Sequence, residues 1–210
     1  MATHVILHPS SPQARYIAQA ADVLQKGGVL MLPSDSGYSL VCGLEQKAAM
    51  EKIQQARQLT KTHLFTLYCP DIASVSRYAQ VDNANFQLLK AHTPAPVTFI
   101  LPATREVPRR LMQEKRRTIG IRIPSHPVMR ALLKEYPEPL MGVSAVNDEQ
   151  DEETMQPLMC DPSQLSRQME YAVSLVLEQG ELPVEPSTVV DLSETPAKII
   201  RQGAYQLHID

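Results

Sequence analysis

Short apolar segments of strand length alternate with amphipathic helical segments along most of the chain, and this alternation constrains the fold more than any other feature. VLML at 29–32 and VTFIL at 97–101 are two of the apolar runs. Between such runs, Met50 and Ile53 stand three residues apart, as expected for a helix that buries one face. Interleaved strands and helices of this kind indicate an α/β fold built on a mixed sheet.

The first helical segment carries signals for both of its ends. Ser11 is of a residue type that caps helix N-termini, and Pro12 fits the first turn. Gly27 can end the helix in the left-handed conformation that glycine adopts without strain. We therefore expect a helix that starts directly after Ser11 and ends at Gly27.

Composition excludes several classes of protein. The 210 residues are 43% apolar and 20% charged, which is typical of a folded domain. A net charge of −3 gives no general attraction to nucleic acid or to an anionic membrane, so RNA binding would need a local basic patch. The sequence shows neither a secretory signal nor an apolar run of membrane-spanning length, which predicts a soluble cytoplasmic protein without a membrane partner. Nothing in the composition indicates the oligomeric state.

Cysteines and histidines do not form a metal-ligand pattern. Cys42, Cys69 and Cys160 are scattered, without a CxxC pair, and the six histidines include no HExxH motif. No protein-bound metal is therefore predicted. Cys42 lies between apolar neighbours in the middle of a predicted strand, which favours a buried structural thiol over a nucleophile.

Small polar residues follow the strand at 29–32, in the segment PSDSGYS. Strand ends border the ligand crevice of an open α/β sheet. Ser34 and Ser36 could donate to a carboxylate or a phosphate, and Asp35 could hold an amine or brace the turn. A plain turn with an Asx hydrogen bond explains the segment equally well.

A basic segment covers residues 105–122 and has a local charge of +5. Its arginines and single lysine suit RNA phosphates, since the planar guanidinium binds phosphate through two hydrogen bonds. The alternative is a solvated face. The RNA-binding candidates are Arg109, Arg110, Lys115, Arg116 and Arg117. Arg122 differs, because it alternates with Ile121 and Ile123 in a predicted strand and so points away from them.

Two further segments complete the candidates. Ser187 and Thr188 open a strand and Arg201 ends the next, which makes a weak anion site on their own. The run at 147–157 has five acidic residues within seven positions and is interpreted either as a solvated loop or as a mobile lid over an active site.

Five motifs, in order, resemble those of the YrdC/YciO family, whose members include threonylcarbamoyl-AMP synthases. GGVLMLPSDSGYSL corresponds to the family's GG-x4-PTDTxYGL, and PAPVT at 94–98 to its PGPxT. IGIRIPSHP at 119–127, STVVDL and RQGA correspond to the remaining three. The resemblance spans nearly the whole chain. It implies a single domain over 1–210, without a C-terminal second domain, whose twisted open mixed sheet carries flanking helices and a concave basic cavity.

The resemblance also implies chemistry. In the synthases the cavity holds L-threonine, bicarbonate and ATP with Mg²⁺, and the products are threonylcarbamoyl-adenylate and pyrophosphate. Carried over by motif, the implied substrate-binding residues are Ser34, Arg122, Ser187 and Thr188. The implied nucleotide-binding residues are Arg57, Thr98, Ser144 and Arg201. The catalytic residues stay unassigned.

Two positions depart from the synthase pattern. Gln55 stands where the family's KxR motif has lysine, and Val146 stands where its SxN motif has asparagine. Asn147 follows one place late, and a one-residue shift on a strand turns a side chain to the other face. Both departures resemble the YciO branch. Four functions therefore stay open: a synthase of weakened activity, an enzyme that removes the threonylcarbamoyl group, a non-catalytic module that binds double-stranded RNA or tRNA, and a protein that binds an unrelated metabolite.

Overall fold

The computed structural model describes residues 2–60, 62–146 and 159–209, and it confirms the interleaving of strands and helices. The strands are β1 (Thr3–Ile6), β2 (Leu30–Ser34), β3 (Gly37–Gly43), β4 (Thr66–Tyr68), β5 (Val97–Pro102), β6 (Thr118–Arg122), β7 (Leu140–Ser144), β8 (Met159–Cys160), β9 (Leu175–Glu178), β10 (Leu182–Pro183), β11 (Thr188–Asp191) and β12 (Lys198–Arg201). The helices are α1 (Ala14–Gln25), α2 (Lys47–Ala56), α3 (Ile72–Tyr78), α4 (Asn83–His92), α5 (Pro127–Glu135) and α6 (Pro162–Gln168), with a 3-10 turn at Arg109–Leu111.

Ten strands of the described residues form one mixed sheet in the order β1-β9-β2-β3-β7-β4-β6-β5-β11-β12, while β8 and β10 pair separately. Parallel pairs (β1 with β9, β4 with β6) sit beside antiparallel ones such as β3 with β7. The predicted twisted mixed α/β sheet with flanking helices is thus confirmed.

Helices cover both faces of the sheet, as the alternating residues of β2 show. Met31 packs into one apolar cluster together with the buried residues of α2, α3 and α4. Leu30 and Leu32 pack into a second cluster with the buried residues of α1 and α5. Because successive strand residues point to opposite faces, the continuous apolar run in this strand supplies both cores.

The structure confirms the predicted end of α1 and the buried face of α2, but not the predicted start of α1. Gly27 has φ +76° directly after α1, as predicted for a glycine that ends a helix. Met50 and Ile53 of α2 are buried, as expected. The predicted cap was wrong: α1 begins at Ala14 after Gln13, which makes no side-chain capping bond, whereas Ser11 lies outside the helix and its backbone N–H donates to His8 Nδ1.

Four elements were not predicted, because their sequences are too short or too mixed in polarity to show a periodic pattern. The strands β1, β8 and β10 have two to four residues each, too few to show a period. Helix α6 is seven residues long. The acidic run at 147–157 lies outside the described residues. Among the described residues, no helix combines the length and apolar character that a bilayer-spanning segment requires.

Candidate functional site

A cavity of about 240 Å³ opens on the sheet face that also carries Tyr68 and Val41. Strand register explains its position. Ser39 of β3 pairs with Ser144 of β7, Thr66 of β4 pairs with Gly142, and Tyr68 pairs with Arg122 of β6. Paired residues project to the same face of a sheet. The pairing therefore brings polar side chains from four neighbouring strands to one surface.

Arg122 forms the polar centre of this cavity. It is 6% exposed, and its Nε and Nη2 donate to Thr98 Oγ1 at 3.2 and 2.9 Å. Its Nη1 donates to Ser36 Oγ at 3.1 Å, and its guanidinium carbon lies 5.6 Å from the Tyr68 ring centre. These partners are all uncharged. A buried guanidinium held by neutral groups is suited to an anionic ligand, because burial of an uncompensated charge is costly.

A chain of hydroxyls lies next to Arg122. Ser39 Oγ donates to Ser34 Oγ at 2.8 Å, and Ser34 Oγ donates to the Gly37 carbonyl at 3.1 Å. Ser34 Oγ also accepts from the Ser36 N–H. Ser39 Oγ lies 3.4 Å from Tyr68 Oη. Ser34 is thus an organiser of the turn beneath the cavity, while Ser36, Ser39 and Tyr68 line it.

Asp35 braces two loops. Its carboxylate accepts from the Ser125 N–H at 3.0 Å and from Ser125 Oγ at 2.6 Å. The bond ties the β2–β3 turn, which carries Ser36, to the loop that follows Arg122. Of the two roles predicted for Asp35, the structure shows the bracing of the turn. The adjacent His126 accepts the Val128 N–H through Nδ1, and burial lowers the pKa of His126 although Asp35 opposes the shift.

The predicted nucleotide-binding residues surround the same cavity. Arg57 Nε donates to the Ser144 carbonyl at 2.8 Å, which anchors the end of α2 to β7. On the other side, Arg201 Nε donates to the Ser187 carbonyl at 3.0 Å, and Ser187 Oγ lies 3.2 Å from Thr98 Oγ1. Three arginines, Arg57, Arg122 and Arg201, therefore reach one cavity from α2, β6 and β12.

Thr188 does not line the cavity, although the family resemblance implies that it binds substrate. It is fully buried, and its hydroxyl bonds the Tyr205 carbonyl and accepts from the Gly203 N–H at 2.9 Å. Because β11 alternates its side chains, Ser187 and Val189 line the cavity while Thr188 holds the C-terminal segment. Gln55 is exposed near the end of α2, whereas Val146 lines the cavity.

The basic segment divides into engaged and exposed members. Arg110 donates to the Leu44 carbonyl at 3.1 Å, and Arg116 forms an ion pair with Asp191 at 2.7 Å. Lys115 is exposed, and Arg109 and Arg117 line a shallow groove with Gln113. The structure therefore separates these five residues, which the sequence presents as one charge cluster.

Sequence reasoning missed several lining residues, above all Ser39, Thr66 and Tyr68. The segment LFTLYC was predicted only as a strand, and the alternation of Thr66 with Tyr68 inside it is the available signal. Its neighbours in the sheet come from residues more than 50 positions away. Only that pairing shows that Tyr68 meets Arg122.

No cysteine is among the described residues that line this cavity. Burial raises the pKa of Cys42 and of Cys69 to about 12, so Cys42 is the buried structural thiol that was predicted. The described residues contain no cluster of three or more histidine, cysteine or acidic side chains that could hold a metal ion. Fold and cavity together define an α/β protein with an arginine-lined pocket on one face of its sheet.

Comparison with known proteins identifies the family. The Sua5/YciO/YrdC family model, described as telomere recombination, matches residues 22–203. YciO of Escherichia coli strain K12, described as uncharacterized, is 43% identical over 205 residues, covering 97% of this chain and 96% of that protein. The chain belongs to the Sua5/YciO/YrdC family. A threonylcarbamoyl-AMP synthase of Pseudoalteromonas translucida is 27% identical over 180 residues, 83% of this chain and 92% of that protein.

Solved structures agree with this assignment. The crystal structure of E. coli YciO matches with a TM-score of 0.86 at 42% identity and covers 98% of both chains. Sua5 of P. abyssi, solved in complex with L-threonine, matches with a TM-score of 0.80 at 20% identity, over 97% of this chain and 57% of that one. The second likeness is one of fold. The predicted kinship with the YciO branch is confirmed.

Proposed function

We propose that the protein is an adenylating enzyme of the threonylcarbamoyl-AMP synthase type, with weakened activity. The threonine amine attacks the bicarbonate carbon and water leaves, which gives a carbamate. A carbamate oxygen then attacks the α-phosphorus of ATP and displaces pyrophosphate. The product is threonylcarbamoyl-adenylate, a precursor for tRNA modification. Such a reaction depends mainly on positioning and on charge neutralisation by the protein.

The observation that carries the proposal is the buried Arg122 with its neutral partners. A carboxylate placed against both Nη1 and Nη2 would supply the missing counter-charge and compete with the Ser36 and Thr98 hydroxyls. A bidentate pair of this kind is among the strong charge-assisted contacts. The threonine carboxylate of the proposed substrate has this geometry, and a Sua5 relative is known in complex with L-threonine.

The phosphates would lie between Arg57 and Arg201. Each guanidinium is oriented by a bond from its Nε to a main-chain carbonyl, of Ser144 and of Ser187 respectively. Guanidinium groups aimed at one cavity stabilise negative charge that develops on a transferring phosphoryl group. Mg²⁺ would arrive on the nucleotide, since the described residues offer no metal cluster of their own.

Pyrophosphate release tests the proposal. The protein is incubated with ATP, Mg²⁺ and bicarbonate and with each amino acid in turn. We expect slow release that requires threonine and bicarbonate together. Arg122→Ala should abolish it, and Arg130→Ala, at an exposed position of α5, should leave it unchanged. Absence of threonine-dependent product from the parent protein overturns the synthase proposal. Incubation with tRNA that carries threonylcarbamoyladenosine then tests removal of the group.

RNA binding is the second candidate, and the exposed residues Arg109, Lys115 and Arg117 favour it. Each phosphate contact that a variant loses should reduce the log–log salt slope of double-stranded RNA or tRNA affinity by about one unit. We expect a reduced slope for the double variant that combines Arg109→Gln and Arg117→Gln. Arg15→Gln with Arg130→Gln, which removes two exposed arginines elsewhere, is the matched control. Equal slopes for both pairs indicate that the segment is only a solvated face.

A further inference from the structure

A second cavity, of about 260 Å³, lies beyond the end of β3 that is remote from Ser39. Strand β3 shows the relation: it runs from Ser39 beside the first cavity to Gly43, and Leu44 directly after it lines the second. The wall of the second cavity comes from the start of α2, the end of α3, the loop after β5 and the loop after α5. Its ionisable residues are Glu45, Arg77, Tyr78, Glu106, Tyr136 and Glu138.

Tyr136 is the residue that points to a ligand. It is only 8% exposed, and its hydroxyl has no hydrogen-bond partner among the described residues. Every fully enclosed side-chain polar atom of those residues does have a partner. The Tyr136 hydroxyl therefore keeps an open side, and it faces the cavity that Tyr136 lines. Burial and the nearby Glu138 carboxylate raise its pKa, so the group stays protonated and can both donate and accept.

The net charge of the residues that line the second cavity favours a cationic ligand. Three carboxylates, Glu45, Glu106 and Glu138, face one guanidinium, Arg77, which leaves a net charge of −2. Arg77 is already engaged over the Tyr78 ring at 5.2 Å. Arg110, outside the lining, forms an ion pair with Glu45 at 3.8 Å, and with it counted the local charge is still −1.

Tyr78 adds a further polar contact to this wall. Its hydroxyl donates to Glu138 Oε2 at 3.3 Å, while burial and the Glu138 charge raise the pKa of Tyr78 to about 12. Two protonated phenols therefore flank the Glu138 carboxylate. Phenol hydroxyls beside a carboxylate suit an ammonium group, which combines charge with hydrogen-bond donors.

The spacing of the carboxylates distinguishes between kinds of cation. A small metal ion needs several ligands within about 2.6 Å of one point, and no group of three acidic, histidine or cysteine side chains of the described residues is close enough. Separate ammonium groups on a flexible chain can instead reach separate carboxylates. We propose that this cavity binds an aliphatic diamine or polyamine, with one ammonium group at Glu138 and Tyr136 and another toward Glu45 or Glu106.

Calorimetric titration with 1,4-diaminobutane and with spermidine tests the proposal at low ionic strength, where exposed carboxylates are least screened. We expect saturable binding of one molecule per chain. Glu138→Gln should weaken it about tenfold or more, as the loss of a charge-assisted hydrogen bond does. Tyr136→Phe should weaken it about threefold to tenfold, because it removes only the open hydroxyl.

Glu135→Gln is the matched control, because it removes one exposed carboxylate next to the cavity without changing the lining. Unchanged thermal unfolding of the Tyr136→Phe variant shows that the fold is intact. Equal weakening by Glu135→Gln and Glu138→Gln, or no weakening by Tyr136→Phe, overturns the proposal. Displacement of the diamine by equimolar Mg²⁺ or butylamine also overturns it. The result is independent of the synthase proposal, since Arg122 lies in the other cavity.

Discussion

At the scale of single residues, Arg122 is the group on which the proposed chemistry depends. It lies at the end of β6, where strand alternation turns it away from Ile121 and Ile123. The apolar neighbours enter the core on the opposite face. The hydroxyls of Ser36 and Thr98 orient its two terminal nitrogens. Fork geometry as well as charge should therefore determine how well it binds a carboxylate.

Arg122→Lys keeps the charge and removes the fork. We expect threonine affinity to fall by about 1–3 kcal/mol, since lysine cannot make the bidentate pair. Equilibrium titration with threonine, in the presence of ATP, measures the change. Arg130→Lys makes the same substitution on an exposed surface and should have no effect. Parent-like affinity in the Arg122→Lys protein would show that the carboxylate binds elsewhere.

At the scale of elements, the two departures from the synthase pattern lie on either side of the contact between α2 and β7. Both Gln55 and Val146 lie near the bond between Arg57 and the Ser144 carbonyl. Val146 contributes to the cavity lining, while Gln55 is exposed on the last turn of the helix. Their restoration should therefore have unequal effects.

Val146→Asn places an orienting amide in the cavity, and we expect it to raise threonine-dependent pyrophosphate release about tenfold. Gln55→Lys should do less alone, and the double variant should exceed both, because groups that share one ligand are rarely additive. Gln54→Lys, which adds the same charge one residue earlier, is the control. If it matches Gln55→Lys, the lysine acts as a general charge and not as a phosphate contact.

At the scale of the whole molecule, Asp191 ties distant segments together. It accepts from Ser193 N–H and Oγ and from Arg116, and so joins the end of β11 to the turn before β6. Burial alone would raise the pKa of this carboxyl, but the bonds from Ser193 and Arg116 outweigh it and lower the pKa. A depressed folded-state pKa contributes stability above the unfolded-state pKa of about 3.9 and loses it as pH falls further.

Asp191→Asn should therefore lower the free energy of unfolding by about 1–2 kcal/mol at pH 7. It should also lose less stability than the parent between pH 5 and pH 3, because one depressed carboxyl no longer titrates. Urea unfolding at several pH values measures both effects. Glu194→Gln, at an exposed partner of Arg116, should change little. Parallel pH curves for parent and Asp191→Asn would contradict the assignment.

Local patterns in the sequence correctly predicted the order of the longer elements, the left-handed glycine after α1 and the buried Cys42. They also predicted that Arg122 lies apart from the rest of the basic segment. Each of these depends on residues within a few positions of one another. The helix start at Ser11 failed, although it is also local, because the chain before α1 uses Gln13 and His8 in other contacts.

Long-range pairing decided the rest. The sequence presents Arg109, Arg110 and Arg116 as one cluster, but only packing brings Leu44 to Arg110 and Asp191 to Arg116. Periodicity shows which residues are buried, and it does not show which strand lies beside which. The pairing of β4 with β6 is therefore what brings Tyr68 next to Arg122. Likewise, the second cavity forms only because four separate segments of the chain pack together around Tyr136.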